Sequence, residues 1–435
     1  MIPAPLSAIT RRTVTRALAT LPLSGVIAML AADAPNAAAR RQRHAAPHAE
    51  KKKAKKVTLC LNGQTIKASK KKRKKLLKQG ATAGACAPTP PTCDCSSSQR
   101  CCSNTCVTSR WANQTTFGSG PGNSVDQFTS PTGVSVQADT RTLVVGDPDN
   151  NRVSVWARPS ATSLDWSAQT VIGDSAGGGS TQLQAPTGVA LTANGRAVWI
   201  ADTGNSRISV WTRSTATSTD WANAALFGSG PGSLNAEFDQ PNGVAISPDT
   251  LTAFIADTGN SRVSVWTRPD TASTSWSYDA KFGSGPGSGA TQFNQPFGLA
   301  VSPDTRTLWV ADTNNDRISV WTRPEATSPD WSHAAIFGST GSGPNQLDGP
   351  VSIAVAADTR TVWIADTGNN RVSVWTRSTA SSTAWSNLLT FGEGGSGPGQ
   401  FGAPKGVAIA PDTATAFITD FINSRVSVWA ATCPA

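Results

Sequence analysis

Histidine, methionine and tyrosine are nearly missing from this 435-residue chain, with three, two and one copies. So few histidines argue against a multi-histidine metal centre or a histidine-dependent hydrolase. Charge is sparse too, at 15% of residues, which argues against a coiled coil. The pattern of apolar runs does not suit a protein that spans a membrane many times. Glycine (38), proline (28) and tryptophan (15) are plentiful instead, the profile of a turn-rich β protein.

Acidic residues are scarce only in the first quarter. Residues 1–110 carry a net charge of +18 and the remainder −8, so the overall +10 joins a basic arm to an acidic body. Any anionic partner is therefore expected at the arm. A specific nucleic-acid partner is not expected.

Residues 1–39 read as an export signal: Arg11, Arg12 and Arg16, an apolar stretch from Ala17 to Ala32, then the small residues Ala37, Ala38 and Ala39. Thr10-Arg11-Arg12-Thr13-Val14 resembles a twin-arginine signal. The expected destination is the cell exterior or cell surface. Residues 40–86 form a basic tether or linker; within it, residues 40–80 hold 16 Lys and Arg against one acid, Glu50. Such blocks repel themselves and stay solvated, and they could attach to an anionic surface.

The arm also contains cysteines. The segment from Val57 to Cys86 resembles a short two-cysteine segment of exported bacterial proteins, with Leu61, Leu76 and Gln79 where histidines are usual. A Cys60–Cys86 disulfide is the expectation there. Residues 87–110 hold Cys93, Cys95, Cys101, Cys102 and Cys106, irregularly crowded, which suits a disulfide knot better than zinc.

From Trp111 to the end the chain repeats six times. The copies begin at Trp111, Trp166, Trp221, Trp276, Trp331 and Trp385, 54 or 55 residues apart. Each copy has four short β-prone runs separated by Gly, Pro, Asn or Ser clusters. In Val263-Ser264-Val265-Trp266 the valines take one face of the strand and the tryptophan the other. Strands apolar on both faces, four to a unit, imply blades sandwiched between neighbours in an all-β, six-bladed β-propeller over 111–435.

The motif Pro-x-Gly-Val-Ala, followed by Ala-Asp-Thr-Gly-Asn-x-Arg, as in 241–245 and 256–262, resembles the NHL repeat, which implies this propeller. Copy one departs with Pro148-Asp149 and copy six with Phe421-Ile422, where Thr-Gly is typical; copy five has Ser352 in place of Gly.

The recurring acids, amides and arginines read as architecture. Asp202, Asn205 and Arg207, then Asp257, Asn260 and Arg262, then Asp312, Asn315 and Arg317, suit a turn in which Asn or Gly takes positive φ and Arg braces a neighbour. No catalytic, metal or cofactor site is expected. His333 is the single propeller histidine, and Asp149 and Asp316 are isolated acids. Gly-Ser-Gly-Pro-Gly at 228–232 and 283–287 lacks the Lys-Ser/Thr and helix of a phosphate loop.

Function is expected where the symmetry breaks. The residue after the inner-strand proline is Thr132, Thr187, Asn242, Phe297, Val351 or Lys405, and these six should ring the central opening. The expected function is a non-catalytic, monomeric binding or scaffold module for a protein, peptide or glycan. The alternative is a propeller lyase or lactonase-like enzyme with a divalent ion.

Ring closure is also predictable. The last copy ends on the strand to Trp429 and lacks an outer strand unless residues 111–117 supply it, pairing antiparallel with 424–430. Cys106 and Cys433 then map onto the neighbouring loop places of Thr215 and Ala216. A Cys106–Cys433 disulfide is expected, with Cys101 or Cys102 as the alternative partner.

Overall fold

A computed structural model describes residues 110–173 and 175–432 in full, together with the backbone of five short strands before residue 109. The chain divides into two units, Met1–Thr89 and Pro90–Ala435. In the first, Val57–Leu61 pairs with Gln64–Ala68 and Thr82–Ala83. In the second, Gln99–Cys102 and Thr105–Thr108 form a hairpin ahead of the propeller. The export signal, the character of the basic arm and the side chains of Cys60, Cys86, Cys106 and Cys433 lie outside the described residues.

The repeats fold into six four-stranded antiparallel sheets. The third blade is typical: Pro241–Ile246 lies innermost, then Thr252–Asp257, Arg262–Thr267 and, outermost, Ser277–Phe282. Most propeller strands are six residues long because glycine, proline and polar clusters interrupt the apolar runs at that spacing. Inner strands of successive blades lie side by side, and the sixth, Pro404–Ile409, reaches the first, Val134–Val136.

Six apolar clusters follow, one between each pair of neighbouring blades. Strand alternation dictates them, as expected. Val263 and Val265 pack against Leu308, Val310 and Trp321 of the fourth blade. Trp266, on the opposite face, packs with Trp199, Ile208 and Phe227 of the second. Its indole N–H donates to Ser264 Oγ at 3.1 Å, so the buried donor has a partner.

The first strand of the propeller closes the ring. Arg110–Phe117 is the outer strand of the sixth blade, antiparallel to Arg425–Thr432. Its register places Phe117 opposite Val426 and Trp111 opposite Ala431. Trp111 stacks on Phe391 with centroids 5.1 Å apart, the same spacing as Trp276 on Phe227. A strand drawn from the other end of the sequence therefore occupies an ordinary blade position, and the exposed edge a linear array would leave is covered.

Among the described residues no helix is long and apolar enough to cross a membrane.

Candidate functional site

Each recurring Asp is fully buried, so its lone pairs must be matched inside the fold. In the second blade, Asp202 accepts from the Gln184 backbone N–H at 2.7 Å, from Asn205 Nδ2 at 2.9 Å and from Arg207 Nε at 2.7 Å. Arg207 also donates to the carbonyls of Gly178, Gly179 and Gln182, and Asn205 to that of Gly177. These carbonyls belong to the connector from the first blade's outer strand to the second blade's inner strand.

The same network recurs at Asp257, Asn260 and Arg262, at Asp312, Asn315 and Arg317, and in the other blades, with Arg Nε to Asp Oδ2 distances of 2.6–3.2 Å. The triple thus braces its own turn through Asp202 and clamps it to the chain entering each blade, 25–29 residues before the Arg. Burial pushes the carboxyls of Asp202, Asp257, Asp312 and Asp366 above the usual range, opposed by hydrogen bonds from the connector, the Asn and the Arg.

The turn itself corrects one expectation. The left-handed residue is the one between the recurring Asn and the Arg: Ser206 at φ 51°, Ser261 at 51° and Asp316 at 52°, an Asn only in copies one and five (Asn151 and Asn370). Gly204 and Gly259 are needed for closeness instead, because a Cβ there would run into Gln184 and Asp239.

A second arginine set escaped the sequence reading. Arg158, Arg213, Arg268, Arg323 and Arg377 lie over Trp166, Trp221, Trp276, Trp331 and Trp385 at 4.6–5.2 Å from the ring centroids. Their Nε groups donate to loop carbonyls such as Thr140 and Gly195. The signal was present as Trp-x-Arg in five of six copies, with Ala431 replacing Arg in the sixth.

The isolated polar candidates are also accounted for. Asp149 accepts from Ser130 Oγ, and Asp316 from Thr340 Oγ1 and the Gly349 N–H. His333 lies edge-on to Trp321 on an outer strand, away from the axis, where burial lowers its pKa.

A cavity of about 290 Å³ lies on the axis, lined by the inner strands of all six blades. Thr132, Asn242, Phe297, Val351 and Lys405 contribute to its wall, while the second blade contributes Gly188 beside Thr187. In blades two to six the first residue of the inner strand pairs with the clamp Asp, as Pro241 with Asp257, and in blade one Ser130, two residues before Thr132, donates its N–H to Asp147, so the six variable positions and the clamps share one face.

These six positions are not equivalent. Thr419 Oγ1 donates to the Thr132 carbonyl, Thr132 Oγ1 to the Thr187 carbonyl at 3.1 Å, and Thr187 Oγ1 to the Asn242 carbonyl at 2.9 Å. Blades six, one, two and three are laced together in this way. Asn242 folds back on the Gln240 carbonyl. The two threonines and Asn242 are thus buried and committed within the fold.

Phe297, Val351 and Lys405 have no hydroxyl to lace with. A second link is shared more widely: Thr203, Thr258, Thr313 and Thr367 bond the next blade's Pro241, Pro296, Pro350 and Pro404 carbonyls at 2.7–2.8 Å. In copy six, Phe421 stands where that threonine would be, and its ring lies 5.2 Å from Lys405 Nζ. Ser352, the other departure, accepts from the Val407 N–H at 3.2 Å. The departures in copies five and six therefore meet in one sector, around a half-buried lysine with no carboxylate among its cavity neighbours. Desolvation holds the Lys405 ammonium below the usual lysine range.

The NHL repeat model matches residues 183–211 and 347–375, each running from the end of a connector through a clamp to the third-strand tryptophan. The propeller is built of NHL repeats. None of the curated proteins matches the sequence. Solved structures similar to the NHL propeller include a functionally unknown protein from Desulfotomaculum acetoxidans, 14% identical, with a TM-score of 0.46 over 68% of this chain and 81% of that one. Another is a "putative 6-phosphogluconolactonase" from Bacteroides uniformis, 14% identical, with a TM-score of 0.45 over 66% and 76%.

Proposed function

We propose that this protein is an exported, non-catalytic binding module whose NHL propeller takes a protein, peptide or glycan ligand at the axial mouth between blades four and six. The observation that carries this reading is the division of the rim. Thr132, Thr187 and Asn242 are spent on internal hydrogen bonds, whereas Phe297, Val351 and Lys405 border the cavity without such bonds. Side chains committed to the fold keep it closed; a lysine at the cavity that meets an aromatic ring and no acid is left able to pair with a ligand.

Two features favour binding over the lyase or lactonase-like alternative. The cavity lining includes no carboxylate or imidazole, and Asp149 and Asp316 are engaged in loop hydrogen bonds. Export is supported by the sequence of residues 1–39, and surface attachment by the basic residues 40–80.

The test is capture of cell-wall, polysaccharide and peptide fractions by full-length protein. Lys405→Glu and Phe297→Ala should each reduce capture with little change in melting temperature. Capture unchanged in both variants would remove the axial mouth as the site.

A further inference from the structure

Three of the side chains that break the symmetry of the cavity, Ser135, Ser352 and Lys405, have a hydrogen-bond donor left to give. Two serines line it. Ser352 stands where the other copies have Gly, and Ser135 where they have Ala190, Ala245, Ala300, Ala354 and Ala408. Each hydroxyl oxygen already accepts a backbone N–H: Ser135 Oγ from Leu191 at 3.0 Å and Ser352 Oγ from Val407 at 3.2 Å. A hydroxyl that accepts in this way keeps its proton to give. Lys405 adds an ammonium, which can only donate. The apolar side chains of the lining include Phe297, Val351, Val134 and Ile353, and Thr132 and Asn242 also border it.

We propose that the axial cavity binds a carboxylate carried on a small apolar or aromatic body. Lys405 pairs with the carboxylate, Ser352 donates to it, and Phe297 and Val351 cover the apolar part. This rests on the axial mouth being the binding site and names the group that enters it.

Three physical points support the class. A cationic and hydroxyl donor set without an acid matches an anion and rejects a cation. The ammonium has lost part of its hydration on Phe421 and the cavity wall, so an anion restores what burial removed. The volume of about 290 Å³ lies at the small end for ligand pockets, which run from roughly 300 to 1,000 Å³. It suits one small acid or one chain terminus rather than a polymer segment.

Serine at 352 also has a steric consequence. At Gly298 a Cβ would meet the Val351 carbonyl oxygen, and at Gly406 the Thr132 carbonyl oxygen. The fifth blade has a Cβ at this position, and its hydroxyl meets the Val407 N–H on the sixth.

The experiment is calorimetric titration of the full chain, at near-physiological salt, with phenylacetate, with N-acetyl-phenylalanine and with a short peptide ending in phenylalanine. Each is paired with its neutral amide. The acids should bind at least tenfold tighter than the amides, and Lys405→Met should erase that difference. Ser352→Gly, which restores the residue of the other copies, should weaken the acids severalfold while circular dichroism stays unchanged and melting falls only slightly, through the lost contact with the Val407 N–H. Tighter binding of the peptide identifies a protein terminus as the source; equal or tighter binding of phenylacetate identifies a free acid. Equal affinity for acid and amide, or no binding by any acid, overturns the carboxylate assignment. If no acid binds but Phe297→Ala still abolishes capture of a surface fraction, the ligand class falls and the axial binding reading stands.

Discussion

Arg262→Ala separates an arginine that holds the fold from one that waits for an anion. The wild-type guanidinium lies 2.6 Å from Asp257 and reaches the carbonyls of Ser233, Leu234 and Glu237 at 2.7–2.8 Å. Truncation leaves a fully buried carboxylate with two donors, the Asp239 N–H and Asn260 Nδ2. Removing one member of a buried pair costs about 3–5 kcal/mol. The three carbonyls lie on a loop with several exposed residues, where water replaces much of what they lose.

The charge left behind makes the loss depend on pH. Burial already raises the Asp257 carboxyl, and without the guanidinium it rises further, so the folded variant binds a proton that the unfolded chain at the same pH does not. Stability of the variant therefore increases as pH falls from neutrality through that folded value towards about 3.9, below which the unfolded chain is protonated as well. Guanidinium unfolding followed by tryptophan fluorescence should show a loss of about 3–5 kcal/mol at pH 7 and a smaller one at pH 5. Asp257→Asn in the same background should recover part of it. A loss below about 1 kcal/mol, independent of pH, would refute the clamp and leave the arginines free to meet an anion.

Other consequences are simpler. Trp266→Ala removes a buried indole from the contact between blades two and three and should cost about 3–5 kcal/mol in denaturant unfolding. At Gly243 a Cβ would overlap the Phe297 carbonyl oxygen, so Gly243→Ala should depress the melting temperature far more than a surface Gly→Ala change. Lys405 bears a desolvated charge, and the folded state holds fewer protons than the unfolded chain between its lowered pKa and about 10.4. Wild-type stability should thus gain a rising component with pH across that window, and Lys405→Met should abolish it and raise the melting temperature at neutral pH. The proposed Cys106–Cys433 link is checked by non-reducing peptide mapping: a Cys433 peptide joined to no cysteine in 101–106 would dismiss it.

The sequence alone determined the number of blades, their boundaries and the way the ring closes. These follow from local regularities: a period of 54 or 55 residues, turn residues at fixed offsets, and a two-residue alternation that sends Val263 and Trp266 to opposite faces. Closure by Arg110–Phe117 was legible because the last copy lacks the strand with which the first begins. The status of individual polar side chains was not legible, because it depends on the neighbouring blade. Thr132, Thr187 and Lys405 occupy the same place in the repeat, yet the threonines reach a carbonyl 55 residues ahead while the lysine meets Phe421 and the cavity. The clamp arginines hold carbonyls 25–29 residues before them, and Arg213 stacks on a tryptophan of the next strand. Periodicity decides which face of a strand a residue occupies; the atoms brought opposite that face by ring closure decide whether its charge or hydroxyl is spent inside the fold or left for a ligand.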